Sequence, residues 1–359
     1  MYNIDFQMLK ELSEADGISG CEREVSRVVN RYFREYADEI MYDNLGSIIG
    51  LKKGNEDGPK IMIAGHMDEV GFLVRHIDEN GYIRILPVGG WWGHVLPSQE
   101  MRITTSTGKK IYGVVGSRAP HGMPSEEKEK VIKPIDLFID IGVENREEAE
   151  ELGIQIGDMI TPNTECRIMN NSNYIVGKAW DDRIGVAVAI DVLRHLQSTE
   201  HDANVYAVGT VQEEVGLRGA RTATQVINPD IGIALDVTTA KDTPMDKGDI
   251  GLGRGVILSI LDATALAHRG LLNEFEHICE DLNLDINYDA MTVGGTDAGN
   301  IHKTFSGVIT MTLSIPTRYM HSPRLLIHQR DYIETVEVLA EFCKRLDKDL
   351  LERLRITTK

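Results

Sequence analysis

Three short runs are apolar on nearly every residue: KIMIA at 60–64, NVYAVGTV at 204–211 and IGIAL at 231–235. A strand with one wet face alternates polar and apolar residues. Runs like these belong to strands covered on both faces, as inside a parallel sheet between layers of helix. The stretches around them carry apolar residues at helical spacing. Residues 5–15 and 21–37 do so first, the second through Val25, Val28, Tyr32 and Phe33; residues 182–197, 216–227, 270–283 and a long closing segment at 331–355 do so later. Further strands are expected at 45–51, 285–291 and 307–313. Strands alternating with helices predict an α/β fold with a mainly parallel central sheet flanked by helices.

One region breaks this rhythm. Between about residue 71 and residue 165 the segments are short and alternating (GFLVRHI, GYIRILPV, EMRITTST, KKIYGVVG, DLFIDIG), with Gly, Pro and Ser between them. That is the pattern of a small β-rich unit. It includes a polar loop, HGMPSEEKEK at 121–130. The organisation expected is one α/β domain, residues 1–70 and 166–359, interrupted by a β insert at 71–165.

Five places put an acid or a histidine where an apolar strand ends, and in open α/β sheets ligands bind beyond the carboxyl ends of strands. His66 follows KIMIA, with Asp68 two residues on; a metal-ligating imidazole is commonly held through its other nitrogen by a carboxylate. Asp181 and Asp182 meet a helix start, where one acid suits a cap and the other, having two oxygens, suits a bridge between metals. Asp182 either caps that helix or pairs with Arg183. Glu213 and Glu214 follow the strand at 204–211; adjacent acids there need positive charge nearby, and offer one carboxylate for a metal and one for proton transfer. Asp236 ends the run at 231–235, and His321 lies in a loop marked by Pro323. His, Asp, Glu, Asp and His together are the ligand inventory of a dinuclear nitrogen/oxygen site. The glycine-rich GGTDAG at 294–299 lacks the phosphate-loop form and reads as a tight loop at the rim of such a site, with Asp297 helping to shape it. His121 reads as a surface histidine.

With these residues in view, HMDEVG at 66–71, AWDDR at 179–183, QEEVGLRGA at 212–220, ALDVT at 234–238, GGTDAG and PTRYMHSP at 316–323 resemble the cobalt- or zinc-dependent tetrahedral aminopeptidases. That family includes glutamyl and deblocking aminopeptidases, and some members carry an endoglucanase label. The resemblance runs in order over essentially the whole chain. It implies a zinc-peptidase-like α/β domain with a barrel-like insert that serves dimerisation, twelve subunits forming a tetrahedral particle, and two divalent ions per subunit, zinc or cobalt. By it, His66, Asp181 and Asp236 hold one ion; Asp181, Glu214 and His321 hold the other; Glu213 is the general base and Asp68 the partner of His66. Trp91-Trp92-Gly93 in the insert departs from the more polar stretch of many relatives and touches the contact surface, not the chemistry.

Composition narrows the partners. With 38 basic and 56 acidic residues the net charge is −18, which disfavours nucleic acid and anionic membranes. The first residues lack the apolar core of a signal peptide, and no apolar run is long enough to span a bilayer. Cys21, Cys166, Cys279 and Cys343 are scattered, as buried thiols in a reducing compartment are, so the cytoplasm is expected. Short peptides are the expected substrate. The rival readings are a metal-independent glycosidase, which needs two carboxylates and leaves both histidines without a role, a metal deacylase or carboxypeptidase on the same core, and an inactive shell protein.

Overall fold

A computed structural model describes residues 4–122 and 124–357; residues 1–3, 123 and 358–359 lie outside the described residues. Eight strands form one sheet in the order Glu39–Tyr42, Ile48–Lys52, Asn204–Thr210, Lys60–His66, Ile231–Thr239, Ile309–Thr317, Val256–Leu261, Ile286–Ala290. The central four are mutually parallel, the outer pair at 256–261 and 286–290 is parallel within itself, and the remaining pairings are antiparallel. This is the mixed, mainly parallel sheet expected of the apolar runs. Lys60–His66 is buried at every position from Ile61 to His66.

Helices cover both faces. One carries Phe6–Glu14, Arg23–Tyr36, Trp180–Leu196, Arg269–Leu282, Gln329–Arg345 and Lys348–Ile356, whose apolar residues share the largest core. The other carries Arg218–Ile227 and the short Ala298–Ile301 around a smaller core. Arg23–Tyr36 shows how sequence sets this: Val25, Val29, Tyr32 and Phe33 recur at helical spacing and are buried, while its arginines face out. Trp180–Leu196 is buried on almost every residue and packs against the sheet and the neighbouring helices, making it the central helix of the body.

The insert is a closed six-stranded barrel, ordered Gly71–Ile77, Ile83–Val88, Phe138–Asp140, Lys110–Gly116, Glu100–Thr104, Met159–Pro162. Closure removes free strand edges, and the inward residues, such as Val74, Ile85, Ile103 and Ile139, fill it completely. Trp91 stacks on Phe72 at 5.1 Å and donates from Nε1 to the Gly71 carbonyl at 3.0 Å, so this tryptophan closes one end of the barrel. Trp92 stays largely exposed. In the polar loop, Ser125–Lys128 forms one turn of helix, and His121 is exposed.

Two expectations change. The closing segment is two helices rather than one: the chain breaks at Leu346, and Asp347 caps the second by accepting from Leu350 N at 2.7 Å. The run at 231–235 continues as strand to Thr239, so Asp236 lies inside its strand and not at its end. Strands at 39–42, 174–177, 256–261 and 325–328 were not anticipated from the apolar pattern. Among the described residues no helix is long and apolar enough to cross a membrane.

Candidate metal centre

The three neighbouring strands at 60–66, 204–210 and 231–239 run in one direction, so their carboxyl ends meet at one edge of the sheet. His66 is the last residue of its strand and sits in register with Thr210. Trp180–Leu196 begins against that edge. Gly65 is required there: a Cβ would lie 2.6 Å from the Gly185 carbonyl carbon, so strand and helix touch backbone to backbone. Asp182 ties the two together, accepting from His66 N at 3.1 Å and from Gly185 N at 3.0 Å. It therefore caps the helix; Arg183 pairs with Glu69 instead, at 3.2 Å.

Asp181 is the centre of the arrangement. Its Oδ1 lies 3.1 Å from His66 Nε2, and its Oδ2 lies 3.2 Å from His321 Nε2. His321 Nε2 is also 3.4 Å from Glu214 Oε1, and His66 Nε2 is 3.8 Å from Glu213 Oε2. One carboxylate thus faces two imidazoles from opposite oxygens, with a glutamate beside each ring. His66, Asp181 and Glu214 form a group compact enough to hold one ion. Asp236 lines the same cavity but lies outside that tight group, and its Oδ1 accepts from Val237 N at 2.7 Å.

The rings are fixed from behind. His66 Nδ1 lies 2.8 Å from the Asp68 carbonyl oxygen, which accepts its proton in that tautomer, leaving Nε2 for the cavity. The Asp68 carboxylate is farther, at 3.6 Å, and is engaged elsewhere: it accepts from Ser19 Oγ at 2.5 Å, Glu213 N at 3.0 Å and Glu214 N at 3.2 Å. Asp68 therefore orients His66 by its backbone and the acid pair by its side chain. Gly90, in a barrel loop, lies against His321, and its backbone favours the protonated ring. A Cβ at Gly90 would stand 3.1 Å from Nδ1, which is why glycine suits this position.

Backbone strain gathers here. Of the nine non-glycine residues with positive φ among the described residues, five flank the site: Ala179, Gln212, Leu217, Tyr319 and His321. Residues held this way cost of order 1–3 kcal/mol each and persist where the surroundings over-determine them.

The electrostatics of the cluster call for positive charge. Burial pushes the carboxyls of Glu213 and Asp236 well above the usual range, with neighbouring acids adding to it. Burial and the Asp181 charge raise Glu214 to about 8. Burial opposes protonation of His321, yet Asp181 and Glu214 raise it to about 9; His66 is raised by Glu213, Asp181 and Asp68 against its own burial. Asp181 stays below the usual range, because hydrogen bonds from His321 and His66 outweigh its burial. Four acids and two imidazoles lie at one spot, and Glu214 Oε1 is buried with no hydrogen-bond partner. Hard oxygen donors and imidazoles with an orphaned carboxylate oxygen fit divalent cations.

A cavity of about 540 Å³ opens over these groups. Glu213, Glu214, Asp181, Asp236 and His321 line one part. Leu217, Met291, Val293 and Met320 make an apolar wall, and Lys303 contributes the one lysine of the lining. Gly294, Gly295 and Thr296 form part of the wall, so the glycine-rich loop borders the cavity as expected. Asp297 lies behind it, buried, accepting from Thr210 Oγ1 at 2.5 Å. Ser19, Gly90 and Lys303 were not singled out from sequence; none stands in a pattern that separates it from other surface or turn residues.

Comparison with known proteins identifies the family of the chain. The family model described as M42 glutamyl aminopeptidase matches residues 46–338, and a second model, AMPT, matches residues 3–29. A lysyl aminopeptidase of Pyrococcus furiosus is 37% identical over 98% of each chain, and a glutamyl aminopeptidase of Lactococcus lactis subsp. cremoris is 34% identical over 98% of this chain and 99% of that one. Among solved structures, a TET aminopeptidase from a marine sediment Thaumarchaeota archaeon superposes with a TM-score of 0.94 at 38% identity, covering 97% of this chain and 98% of that one. The TET1 peptidase of Pyrococcus horikoshii, described as assembling into a tetrahedron or a large octahedral shell, superposes at 0.84 with 30% identity over 95% and 99%. The chain belongs to the M42 glutamyl aminopeptidase family and is a hydrolase of the aminopeptidase class.

Proposed function

We propose that the chain removes the N-terminal residue of short peptides at a dinuclear site, with His66, Asp181 and Asp236 around one divalent ion and Asp181, Glu214 and His321 around the other. The observation that carries this reading is Asp181, whose two oxygens address two different imidazoles. Bound there, zinc or cobalt ions supply Lewis-acid polarisation of the scissile carbonyl and of water. Glu213 takes a proton from the attacking water and returns it to the leaving amine; its position beside His66 and on the cavity wall suits a group that must reach the reacting atoms. The substrate's free amino group would bind near one of the two ions, which limits cleavage to the first residue.

The rest of the cavity receives the side chain of that residue. Its apolar wall suits a methylene chain, and Lys303 favours a carboxylate or neutral end over a cationic one. The barrel serves contact between copies in a homo-oligomer, a dimer that builds toward a dodecamer. Free cysteines, three of them buried, suit the cytoplasm. The test is chelated enzyme resupplied with zinc or cobalt alone and offered free-amine and N-acetylated aminoacyl-nitroanilides. Metal-restored turnover of the free amines alone is expected. Cleavage of a cellulose oligomer that survives chelator would favour the glycosidase instead.

A further inference from the structure

We propose that residues 16–22 form a strap through which the seat of the barrel on the body sets the metal-binding geometry, with Asp16 and Ser19 as positioning residues. The inference rests on the dinuclear reading of the site.

At one end of the strap, Asp16 is fully buried and gathers donors from three barrel strands: Arg102, Lys110 Nζ at 2.5 Å, Thr104 Oγ1 at 3.3 Å and Thr161 Oγ1 at 2.7 Å. Its own backbone N–H donates to Glu24, and Glu24 in turn binds Lys110. From the body side, Lys178 lies 3.4 Å from Asp16 and also pairs with Glu69. Burial opposes the charge on Asp16, but Lys178, Arg102 and Lys110 hold its carboxyl below the usual range.

Gly17, Ile18, Ser19 and Glu22 then each touch a support of the site. The Gly17 carbonyl accepts from Glu69 N at 2.9 Å and from Arg183 Nη2 at 3.1 Å. Arg183 also donates through Nε to the carbonyl of Met67, which lies between His66 and Asp68. Ile18 bridges to Glu69. Ser19 Oγ donates to the Asp68 carboxylate, the group that collects the backbone N–H of Glu213 and Glu214. Glu22 ends the strap by accepting from Gln212 N at 3.0 Å. No residue of 16–22 lines the cavity, so the strap acts on position and not on substrate. Outer hydrogen-bond partners of metal ligands typically matter about 10- to 100-fold in metal affinity or activity.

The experiment uses the full chain as Ser19→Ala, Ser19→Thr, Asp16→Asn and Lys110→Met, with Lys109→Met as a barrel-surface control. Zinc release to a chromophoric chelator is measured beside kcat and KM on a free-amine nitroanilide. Ser19→Ala and Lys110→Met should release zinc about tenfold faster and lose kcat with KM little changed; Ser19→Thr, which keeps the hydroxyl, should recover toward wild type, and Lys109→Met should match it. Lys110→Met keeps the test open if Asp16→Asn fails to fold. Variants that melt lower but release zinc at the wild-type rate and keep kcat within about twofold would show a merely structural strap and overturn the proposal. Wild-type enzyme that binds no divalent ion and ignores chelator would overturn it together with the dinuclear reading, which separates the two failures.

Discussion

The barrel and the α/β body bury their strands in opposite ways. In the barrel, Lys110–Gly116 alternates buried and open residues along its length, so this strand gives one face to a filled core and one to solvent. In the body, Lys60–His66 and Ile309–Thr317 are buried on both faces, and their only wet parts are their ends. Chemistry follows from that difference. Parallel strands of this kind bring the polar groups near their carboxyl ends together at one edge, including Asp236, which lies three residues inside its strand. The barrel has no such edge; of its residues, Gly90 alone lines the cavity.

If chemistry resides in the body, the largest effect comes from Glu213→Gln. It should lower kcat by about 10²–10⁴-fold while metal content, read by atomic absorption, stays at wild type. A Gln variant that turns over normally would remove Glu213 from its role. The barrel counterpart is Ile139→Ala, in the filled interior: about 2–5 kcal/mol of stability lost by denaturant titration, with kcat kept in the folded enzyme. Gly90→Val probes the barrel loop that lines the cavity. Its Cβ crowds His321, so kcat should fall about tenfold with melting little changed, the scale of losing an outer-shell contact. Lys303→Glu should move preference from glutamyl toward lysyl nitroanilide by several-fold, about the 1 kcal/mol of a partly exposed charge pair; an unchanged ratio would take Lys303 out of substrate selection. The smallest effect concerns acid. A carboxylate held low stabilises the fold above its unfolded pKa, and that stabilisation fades as pH falls toward the folded value. The stability deficit of Asp16→Asn relative to wild type, read by denaturant titration, should therefore begin to shrink below about pH 4 and close only as pH nears the lower folded value.

Both burial patterns were readable in the sequence, and so was the alternation that marks the barrel. His66, Asp181, Glu213, Glu214 and His321 were legible because acids and imidazoles are conspicuous after apolar runs, and the structure brings them within a few contacts of one another. The second closing helix was not, because apolar periodicity runs through Leu346 and Asp347 while the cap interrupts only the backbone. The strand Val256–Leu261 follows a glycine-rich turn, and the acid that ends it, Asp262, is turned onto its own loop, accepting from Thr264 N and Ala265 N. Ser19 and Asp16 were hidden for a different reason. Their partners are remote in sequence, from Asp68 to Thr161, and a single buried hydrogen-bond donor or acceptor has no periodicity.

The order in which the chain supplies the site has its own consequence. His66 is made before the barrel, Asp181 and Glu214 after it, and His321 follows the last strand of the large sheet. Pairings this distant close late in folding. On the proposed assignment, a growing polypeptide therefore brings its metal-binding groups together only once segments on both sides of the barrel have met.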